Sequence, residues 1–450
     1  MNKIILHIDM NSYFATCEQQ ANPFLRGKPI AVGGPPSSST FAKSCWTSAG
    51  KSGGEFSRRN LLIVAASKEA KLRGVKSVMP SWEAVKICPE LIFVPGDHIK
   101  YKWITDKFLE IFKSYSPILE IFSIDEVFLE LTNLHECLTD TNCTNEDNVD
   151  CAVKIAKEIK LRLKKEIGEW MTCSIGIAKN KLLAKLASDL KKPDGLIIIN
   201  DENKEKILNS IELTDFCGIG KRIEARLNGM GIFTVKQLKS CSYINLTKQF
   251  KSYGHKLYLM ARGEDNSEVL PYYLLPDEKS MGHNFTLPKD VWDLKEIKNV
   301  ILQLSEKLGR RLRRKNFVAK CVTLLLRYSF YEKNSGYASF HHFHKQKKVS
   351  YWINDGYEIY KVAEKILESW KDNQSVRMIG VSVSCLSKMD QISCLEKDNK
   401  LKNVLKASDK INNKFGENTI FRGGYLQAEK SRILMPKALK SPVSFMRRND

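Results

Sequence analysis

Two apolar segments that carry acidic residues indicate the fold: Ile4-Ile-Leu-His-Ile-Asp9 and Leu119-Glu-Ile-Phe-Ser-Ile-Asp-Glu-Val-Phe-Leu129. Each has the length and apolar content of a buried strand, so Asp9 would end one strand while Asp125 and Glu126 would lie in another. Neighbouring residues on a regular strand point to opposite faces, so Asp125 and Glu126 can serve one site only if the chain bends there. We therefore expect a hairpin turn just before Glu126.

Three carboxylates among buried residues would repel one another and lose hydration. Divalent cations are the simplest compensation, and ligands that are all oxygen atoms favour Mg²⁺, with Mn²⁺ as a substitute. Two such ions a few ångströms apart serve phosphoryl transfer. Acids exposed to solvent at strand ends are the alternative, and the pattern alone leaves both open.

Working outward, the pattern predicts a multidomain α/β chain. Strands alternate with helices up to about residue 202, residues 203–265 look wholly helical, and Pro271 and Pro276 mark a linker before an α/β segment at 279–396. Three further segments stand out. They are a Ser-, Gly- and Lys-rich insertion at about 34–60, an acidic loop at 135–150 followed by a helix from Asp150 to Glu169, and a basic tail.

The charge balance favours a polyanionic partner. The 450 residues include 72 Lys and Arg against 51 Asp and Glu, a net charge of +21, and nucleic acid is the commonest polyanion. No apolar run is long enough to span a membrane, and the N-terminal run is too short for a signal peptide. We expect a cytoplasmic, chromosome-associated protein whose 12 irregularly spaced cysteines are reduced.

Three motifs resemble the palm motifs of the Y-family, DinB-like DNA polymerases of the polymerase IV type. They are Ile8-Asp-Met-Asn-Ser-Tyr-Phe-Ala15, Phe122-Ser-Ile-Asp-Glu-Val-Phe-Leu129 and Cys173-Ser-Ile-Gly-Ile-Ala-Lys-Asn-Lys-Leu-Leu-Ala-Lys185. The resemblance continues through Lys191-Lys-Pro-Asp-Gly195 and Lys279-Ser-Met-Gly-His-Asn-Phe-Thr-Leu-Pro288, and covers roughly residues 1–396. Several motifs in the family order are far more specific than any one alone.

The resemblance implies a right-hand-like architecture with four domains. A mixed α/β palm would comprise 1–12 and 97–202, and small fingers would comprise 13–96. A helical thumb at 203–266 and an α/β little finger at 279–396 would precede the tail at 397–450.

The resemblance also implies residue roles. Asp9, Asp125 and Glu126 match the metal-binding carboxylates, with Asp125 and Glu126 in the catalytic pair, and the carbonyl of Met10 matches a further ligand. Phe14 matches the steric gate, whose ring would clash with a 2′-hydroxyl of the incoming sugar.

Tyr13 and Lys192 match nucleotide-binding positions, and Lys192 would offset charge on the triphosphate. One departure lies in the fingers, where relatives commonly carry a Tyr and an Arg three residues apart. Here Lys68 and Lys71 stand at those places, and lysine supplies charge without the planar fork of arginine. Nucleotide affinity or selectivity is therefore expected to differ from that of relatives.

Two regions are predicted to hold DNA. Phe216-Cys-Gly-Ile-Gly-Lys-Arg-Ile-Glu-Ala-Arg-Leu227 is typical of a helix–hairpin–helix, in which Gly218 and Gly220 permit a tight turn. Lys221 and Arg222 add charge at a helix start that would face a phosphate. A basic cluster in the little finger supplies the remaining candidates: Arg310, Arg311, Arg313 and Arg314. These four cannot all share one helix face, so some must be solvated.

The predicted function is magnesium-dependent, template-directed DNA synthesis from dNTPs on primer–template DNA. Low-fidelity translesion synthesis in DNA repair follows from the resemblance alone. The alternative is a catalytically inactive DNA-binding relative that acts as an assembly factor, and a nucleotide cyclase ranks lower. We expect a monomer, and a sliding clamp stays an open candidate partner because no clamp-binding motif is evident.

Overall fold

The computed structural model describes eight stretches of chain: 3–33, 62–131, 145–274, 277–334, 337–372, 374–389, 396–416 and 419–423. The insertion predicted at 34–60 lies outside the described residues, as does most of the predicted acidic loop. The described residues fall into two compact units, one up to Leu274 and one from Asp277 onward.

The first unit contains eight strands. They are β1 (Ile5–Met10), β2 (Ile30–Val32), β3 (Ala65–Ala66), β4 (Ile92–Val94), β5 (Leu119–Ile121), β6 (Glu126–Glu130), β7 (Cys173–Ala178) and β8 (Leu196–Ile199). Five form one sheet in the order β5-β6-β1-β7-β8, with β1 antiparallel to both neighbours. All six residues of β1 are buried, as its central position and its apolar run require.

Helices α1 (Tyr13–Ala21), α4 (His98–Lys113), α5 (Asn145–Arg162) and α6 (Lys181–Leu190) cover the two faces of this sheet. Helices α2 (Lys68–Leu72) and α3 (Ser81–Ile87) pack instead on the small sheet formed by β2, β3 and β4. Leu6 and Ile8 of β1 pack in a core with α1, α4 and α5, whereas Ile5 packs with α6 on the opposite face. Because side chains alternate along a strand, Asp9 lies on the α6 face with Ile5.

The fingers candidate is built on a small sheet in the order β3-β2-β4. Its own core includes Ala31, Ala70 and Leu91. The predicted all-helical segment is confirmed as five helices among the described residues: α7 (Lys204–Ser210), α8 (Lys221–Asn228), α9 (Val235–Ser240), α10 (Tyr243–Phe250) and α11 (Ser252–Met260).

The second unit is a four-stranded antiparallel sheet in the order β11-β10-β12-β9. Its elements are β9 (Ser280–Val291), α12 (Leu294–Arg314), β10 (Phe317–Asn334), β11 (Tyr337–Ile353), α13 (Gly356–Leu367), β12 (Val376–Lys388) and α14 (Glu396–Phe415). The buried faces of α12 and α13 share one core with the sheet, including Leu304, Ile359 and Val381.

Two segment predictions need correction. The helix expected from Asp150 to Glu169 begins at Asn145, so the last six residues of the predicted acidic loop are helical, and after Arg162 it continues as a π-helix to Ile167. Acidic residues near a helix N-terminus are favoured by the helix dipole, which accounts for the earlier start. The segment treated as a basic tail contains α14, a 20-residue helix. None of the described helices is long and apolar enough to cross a membrane.

Candidate active site

The three candidate carboxylates meet at one edge of the five-stranded sheet. Asp9 lies directly opposite Glu126 in the β1–β6 register, so both side chains project from the α6 face. The expected turn is confirmed, because the backbone amides of Phe122 and Ser123 both donate to the Glu126 carbonyl, at 3.0 and 3.1 Å. Asp125 lies in that turn, and its carbonyl accepts from the Met10 amide at 3.0 Å.

Hydrogen bonds from α4 fix the turn. The Thr105 hydroxyl donates to the Ile124 carbonyl at 2.8 Å, immediately before Asp125. The Tyr13 hydroxyl lies 2.8 Å from the Thr105 hydroxyl and donates to the Tyr101 carbonyl at 2.7 Å. Tyr13 is buried and lines the cavity described below, and its predicted contact with the nucleotide stays a prediction. Its phenol supports the turn.

Two lysines neutralise the carboxylate edge from α6 and the loop after it. The Lys192 ammonium lies 2.6 Å from an Asp9 oxygen and 2.6 Å from Asp189, and Lys185 lies 2.9 Å from Glu126. Lys185 and Asp189 are four residues apart on α6, so they project from the same side of the helix.

Burial and mutual repulsion nevertheless disfavour the charged carboxylates. Burial raises the pKa of Asp9 to about 6; Lys192 opposes this shift and the neighbouring Glu126 adds to it. Burial also raises the pKa of Asp125, a shift that the Ser123 hydroxyl opposes and the Asp9 charge reinforces. A divalent cation would relieve both penalties.

The donor set fits a hard cation. Carboxylate oxygens and a backbone carbonyl at Met10 are the ligands that Mg²⁺ prefers. Within the described stretches, no group of three or more His, Cys, Asp or Glu side chains is already arranged to hold a metal. Lys185 and Lys192 already lie against oxygens of Glu126 and Asp9.

A cavity of about 410 Å³ opens beside Asp9 and Asp125. It is lined by Asp9, Met10, Asn11, Ser12, Tyr13, Phe14, Val64, Ala65, Lys68, Lys71, Leu72, Ser77, Asp125, Lys192 and Pro193. The Phe14 ring stacks on Tyr101 with centroids 4.5 Å apart and an angle of 22°. The Tyr101 hydroxyl in turn donates to Glu18 at 2.7 Å. The predicted gate therefore has a fixed ring beside the carboxylates.

The two fingers lysines line the same cavity. Lys68 begins α2, whose start is capped by the Ser67 side chain. Burial lowers the pKa of Lys71, and repulsion by Lys192 lowers it further, while Asp9 and Asp125 oppose the shift. The cavity thus brings Lys68, Lys71 and Lys192 around an acidic edge.

The helix–hairpin–helix candidate has the expected local geometry. Gly218 adopts φ +113°, and a Cβ there would lie 2.7 Å from the Tyr253 hydroxyl, which donates to the Gly218 carbonyl. Gly220 precedes α8, where Lys221 and Arg222 are exposed. The first turn of α8 is therefore open to a phosphate.

The arginine cluster lies at the C-terminal end of α12, and its members make different contacts. Arg313 donates to Asp409 of α14 at 2.7 and 2.9 Å, so its charge is already paired within the protein, and its predicted DNA contact stays a prediction. Arg310 donates to Asn413 at 2.8 Å. Arg310 and Arg314 line a separate cavity, whereas Arg311 does not.

Some residues of the site escaped the sequence prediction. Lys185, which pairs with Glu126, stands at the end of a recognised motif, and its four-residue spacing from Asp189 is the signal that could have found it. Tyr101, behind Phe14, carried no such signal. It lies far along the chain, and only the packing of α1 on α4 brings the rings together.

The acidic strand ends beside the cavity and the helical segment with exposed Lys221 and Arg222 are the features that the sequence analysis expects of a polymerase that copies a nucleic acid. Family models agree along the chain. The impB/mucB/samB family matches residues 8–189, its C-terminal domain matches 278–394, and the DNA polymerase-iota thumb domain matches 214–265.

Curated relatives are similar over nearly their whole length. DNA polymerase IV of Pelotomaculum thermopropionicum is 33% identical over 421 residues, which cover 93% of this chain and 94% of that protein. DNA polymerase IV of Clostridium perfringens is 32% identical over 393 residues, 86% and 95% of the two chains.

Solved structures give the same result. A Y-family DNA polymerase chimera aligns with a TM-score of 0.65 and 26% identity, covering 85% of this chain and 98% of that one. An insertion ternary complex of Dbh DNA polymerase gives 0.53 and 25% with the same coverage. The chain belongs to the impB/mucB/samB family of Y-family polymerases, and it is a DNA-directed DNA polymerase with a palm, fingers, thumb and little finger.

Proposed function

We propose that the chain adds deoxynucleotides to a primer 3′-hydroxyl by two-metal phosphoryl transfer and does so past damaged template bases. The observation that carries the proposal is the convergence of Asp9, Asp125 and Glu126 beside the cavity that contains Phe14 and Lys192. Asp9, Asp125, Glu126 and the Met10 carbonyl would hold two Mg²⁺ ions, with Mn²⁺ as a substitute. When bound, these ions activate the attacking oxygen and stabilise charge on the leaving one.

The other side chains of the cavity bind and orient the nucleotide. Lys192, which pairs with Asp9 at 2.6 Å, would exchange that carboxylate for the triphosphate when the acids take up metal. Lys68 and Lys71 line the cavity within reach of the same phosphates. Phe14, held against Tyr101, would exclude a 2′-hydroxyl from the sugar position.

Sequence-independent contacts would hold the primer–template. Gly218, Gly220, Lys221 and Arg222 offer backbone amides and charge at the start of α8. The exposed little-finger cations would add a salt-dependent contact. We propose a monomer that acts on chromosomal DNA in the cytoplasm, with a sliding clamp as an open candidate partner.

Primer extension with Mg²⁺ and dNTPs tests the catalytic proposal. Asp125→Asn should lower the extension rate by about 10³-fold, because the site loses a metal ligand. Glu130→Gln, at the far end of the strand β6 that follows Asp125, is the matched control and should extend normally. If the native chain binds primer–template without extending it, the assembly-factor alternative replaces this proposal.

Lesion bypass is a separate test. The template would carry one abasic site downstream of the primer, and the products would be resolved by length. Extension beyond the abasic site by the native chain supports translesion synthesis. Complete arrest at the lesion, with full extension on the undamaged template, would restrict the proposal to ordinary DNA synthesis.

A further inference from the structure

The loop that carries Lys192 is fixed to the rest of the first unit from two sides. It comprises residues 191–195 and joins the end of α6 to the start of β8. The Lys192 ammonium lies 2.6 Å from both Asp9 and Asp189, although its side chain is 37% exposed. A lysine side chain has many rotamers, so an ammonium that must meet one carboxylate and one triphosphate needs a loop of defined position. We call residues 191–195 the Lys192 loop.

Asn11 holds the Lys192 loop from the inner side. It lies two residues after Asp9, lines the cavity beside the carboxylates and is only 8% exposed. Backbone amides can only donate, so the carboxamide oxygen of Asn11 faces the amides of Asp194 at 2.9 Å and Cys173 at 3.3 Å. One buried side chain therefore joins the end of β1 to β7 and to the Lys192 loop.

The Ser174 hydroxyl adds a second buried contact on this side. It accepts from the amide nitrogen of Asn11 at 2.9 Å and from the backbone amide of Gly195 at 3.3 Å. The loop folds closely on itself here, because a Cβ at Gly195 would lie 1.9 Å from the Lys191 carbonyl oxygen. A buried polar group is costly to leave unpaired, so an apolar residue in place of Asn11 would deprive the Asp194 amide of its acceptor.

Asp194 holds the same loop from the outer side. It adopts φ +57°, in the left-handed region that Asp and Asn tolerate better than most residues. Its carboxylate lies 3.0 Å from Lys160 of α5 and 3.2 Å from Lys164 in the π-helix that follows, and its carbonyl accepts from Lys160 at 2.6 Å. Partial burial favours the neutral acid, but the two lysines outweigh it and hold the pKa of Asp194 below its usual value. A charged side chain thus ties the turn to a separate helix.

We propose that Asn11 and Asp194 are positioning residues for Lys192, which fix the Lys192 loop so that its ammonium can turn from Asp9 to the triphosphate of an incoming dNTP. The inference rests on the proposed function, because it takes the triphosphate as the ligand of Lys192. Both anchors meet at Asp194, two residues after Lys192, so the loss of either one displaces the loop at that point. A displacement of about 1 Å at a phosphate-binding group is enough to weaken its contact measurably.

The test measures the Kd of the correct dNTP by fluorescence titration of the full chain on primer–template DNA. The primer ends in a 3′-dideoxynucleotide, so no chemistry follows binding. Asn11→Leu and Asp194→Asn are each made alone and together with Lys192→Ala. Asp194→Asn changes a surface side chain and keeps a residue that tolerates a positive φ, so it does not depend on repacking the core. Asp201→Asn, which breaks a surface ion pair with Lys179, is the matched control.

Asn11→Leu should raise the Kd about tenfold, the effect of losing a buried hydrogen bond. Asp194→Asn should raise it about threefold, because its ion pairs are partly exposed. Asp201→Asn should bind like the native chain. In the Lys192→Ala chain neither substitution should weaken binding further, since both act through that lysine.

Equal losses with and without Lys192 would mean that Asn11 and Asp194 serve only the fold, and this outcome overturns the proposal. A native Kd in both single variants overturns it as well. Extension of an ordinary primer is measured in parallel and tests the polymerase proposal separately. A chain that shows the expected Kd pattern but never extends the primer contradicts the proposed function, and the positioning of Lys192 stands.

Discussion

The carboxylate edge of the first unit differs in its charge balance from a cavity between α12 and α14 in the second unit, which is lined by Lys402, Lys406 and Lys410 of α14. At the edge, Lys192 and Lys185 lie 2.6 and 2.9 Å from Asp9 and Glu126, so each cation has an internal partner. In the cavity, the three lysines of α14 have no carboxylate partner among the described residues. At the carboxylate edge each lysine is paired with an acid of the same chain, whereas the three lysines of the cavity are not paired with a carboxylate of its lining.

This difference predicts different responses to substitution. Where a cation is paired, removing it unbalances a buried acid and disturbs the chemistry built around that acid. Where like charges stand four residues apart on a helix without a carboxylate partner, removing one relieves repulsion. We therefore expect the largest effects at the lysines that are paired with Asp9 and Glu126.

The largest effect is expected at Lys192. Lys192→Ala should lower the rate of primer extension by about 10³-fold, because it removes a cation from both Asp9 and the incoming triphosphate. Extension is measured under single-turnover conditions. Lys191→Ala, which changes the exposed neighbour outside the cavity, should leave the rate unchanged. A normal rate for Lys192→Ala would mean that this lysine only balances Asp9.

The next effect is on stability and concerns Asp9. Burial raises its pKa to about 6 from the ordinary 3.8, so the folded state favours the protonated acid. Its contribution to stability is complete below about pH 4 and is lost as the pH rises through 6, by up to about 3 kcal/mol.

The measurement is chemical unfolding in EDTA at pH 5 and pH 8. The native chain should lose more stability between these values than Asp9→Asn does, since the variant cannot ionise there. Saturating Mg²⁺ at pH 8 should close much of the gap, because the cation binds the folded carboxylates. Equal pH dependence in the two proteins would contradict the buried, repelled state of Asp9.

A neutral residue sharpens the contrast, because Phe14 is also fixed by an internal partner. Phe14→Ala should raise ribonucleotide incorporation about 10²-fold, as the ring that would clash with a 2′-hydroxyl is removed. Competition between rNTP and dNTP in primer extension measures it. Tyr13→Phe is the matched control: it should keep sugar selectivity and lose about 1 kcal/mol of stability with its hydrogen bonds. Unchanged selectivity in Phe14→Ala would remove the gate assignment.

The sequence predicted the carboxylates at the sheet edge better than it predicted the side chains that contact and support them. Asp9 and Glu126 could be placed because apolar strands have a period of two, and the turn followed from the need to bring Asp125 to the same site. The Tyr13 phenol could not be placed, because its position depends on how α1 packs against α4. The local sequence pattern therefore predicts strands and turns, whereas contacts between side chains far apart in sequence depend on tertiary packing.

The second unit shows the same limit. The sequence shows a basic cluster at residues 310–314, but it does not show which of these arginines faces solvent and which contacts another helix. The partner of Arg313 lies 96 residues away in α14, inside a segment that composition alone described as a tail. Asp409 is one acid among many cations there, so no spacing rule could single it out.

The smallest effect is expected at that ion pair, and it joins the two halves of the contrast. Arg313→Ala and Asp409→Asn should each cost about 2 kcal/mol of stability, with a coupling of about 1 kcal/mol in the double variant. Chemical unfolding of the four proteins measures it. Strictly additive losses would mean that Arg313 and Asp409 do not stabilise each other. Leu405 and Asn412 would then hold α14 in place without a contribution from this ion pair.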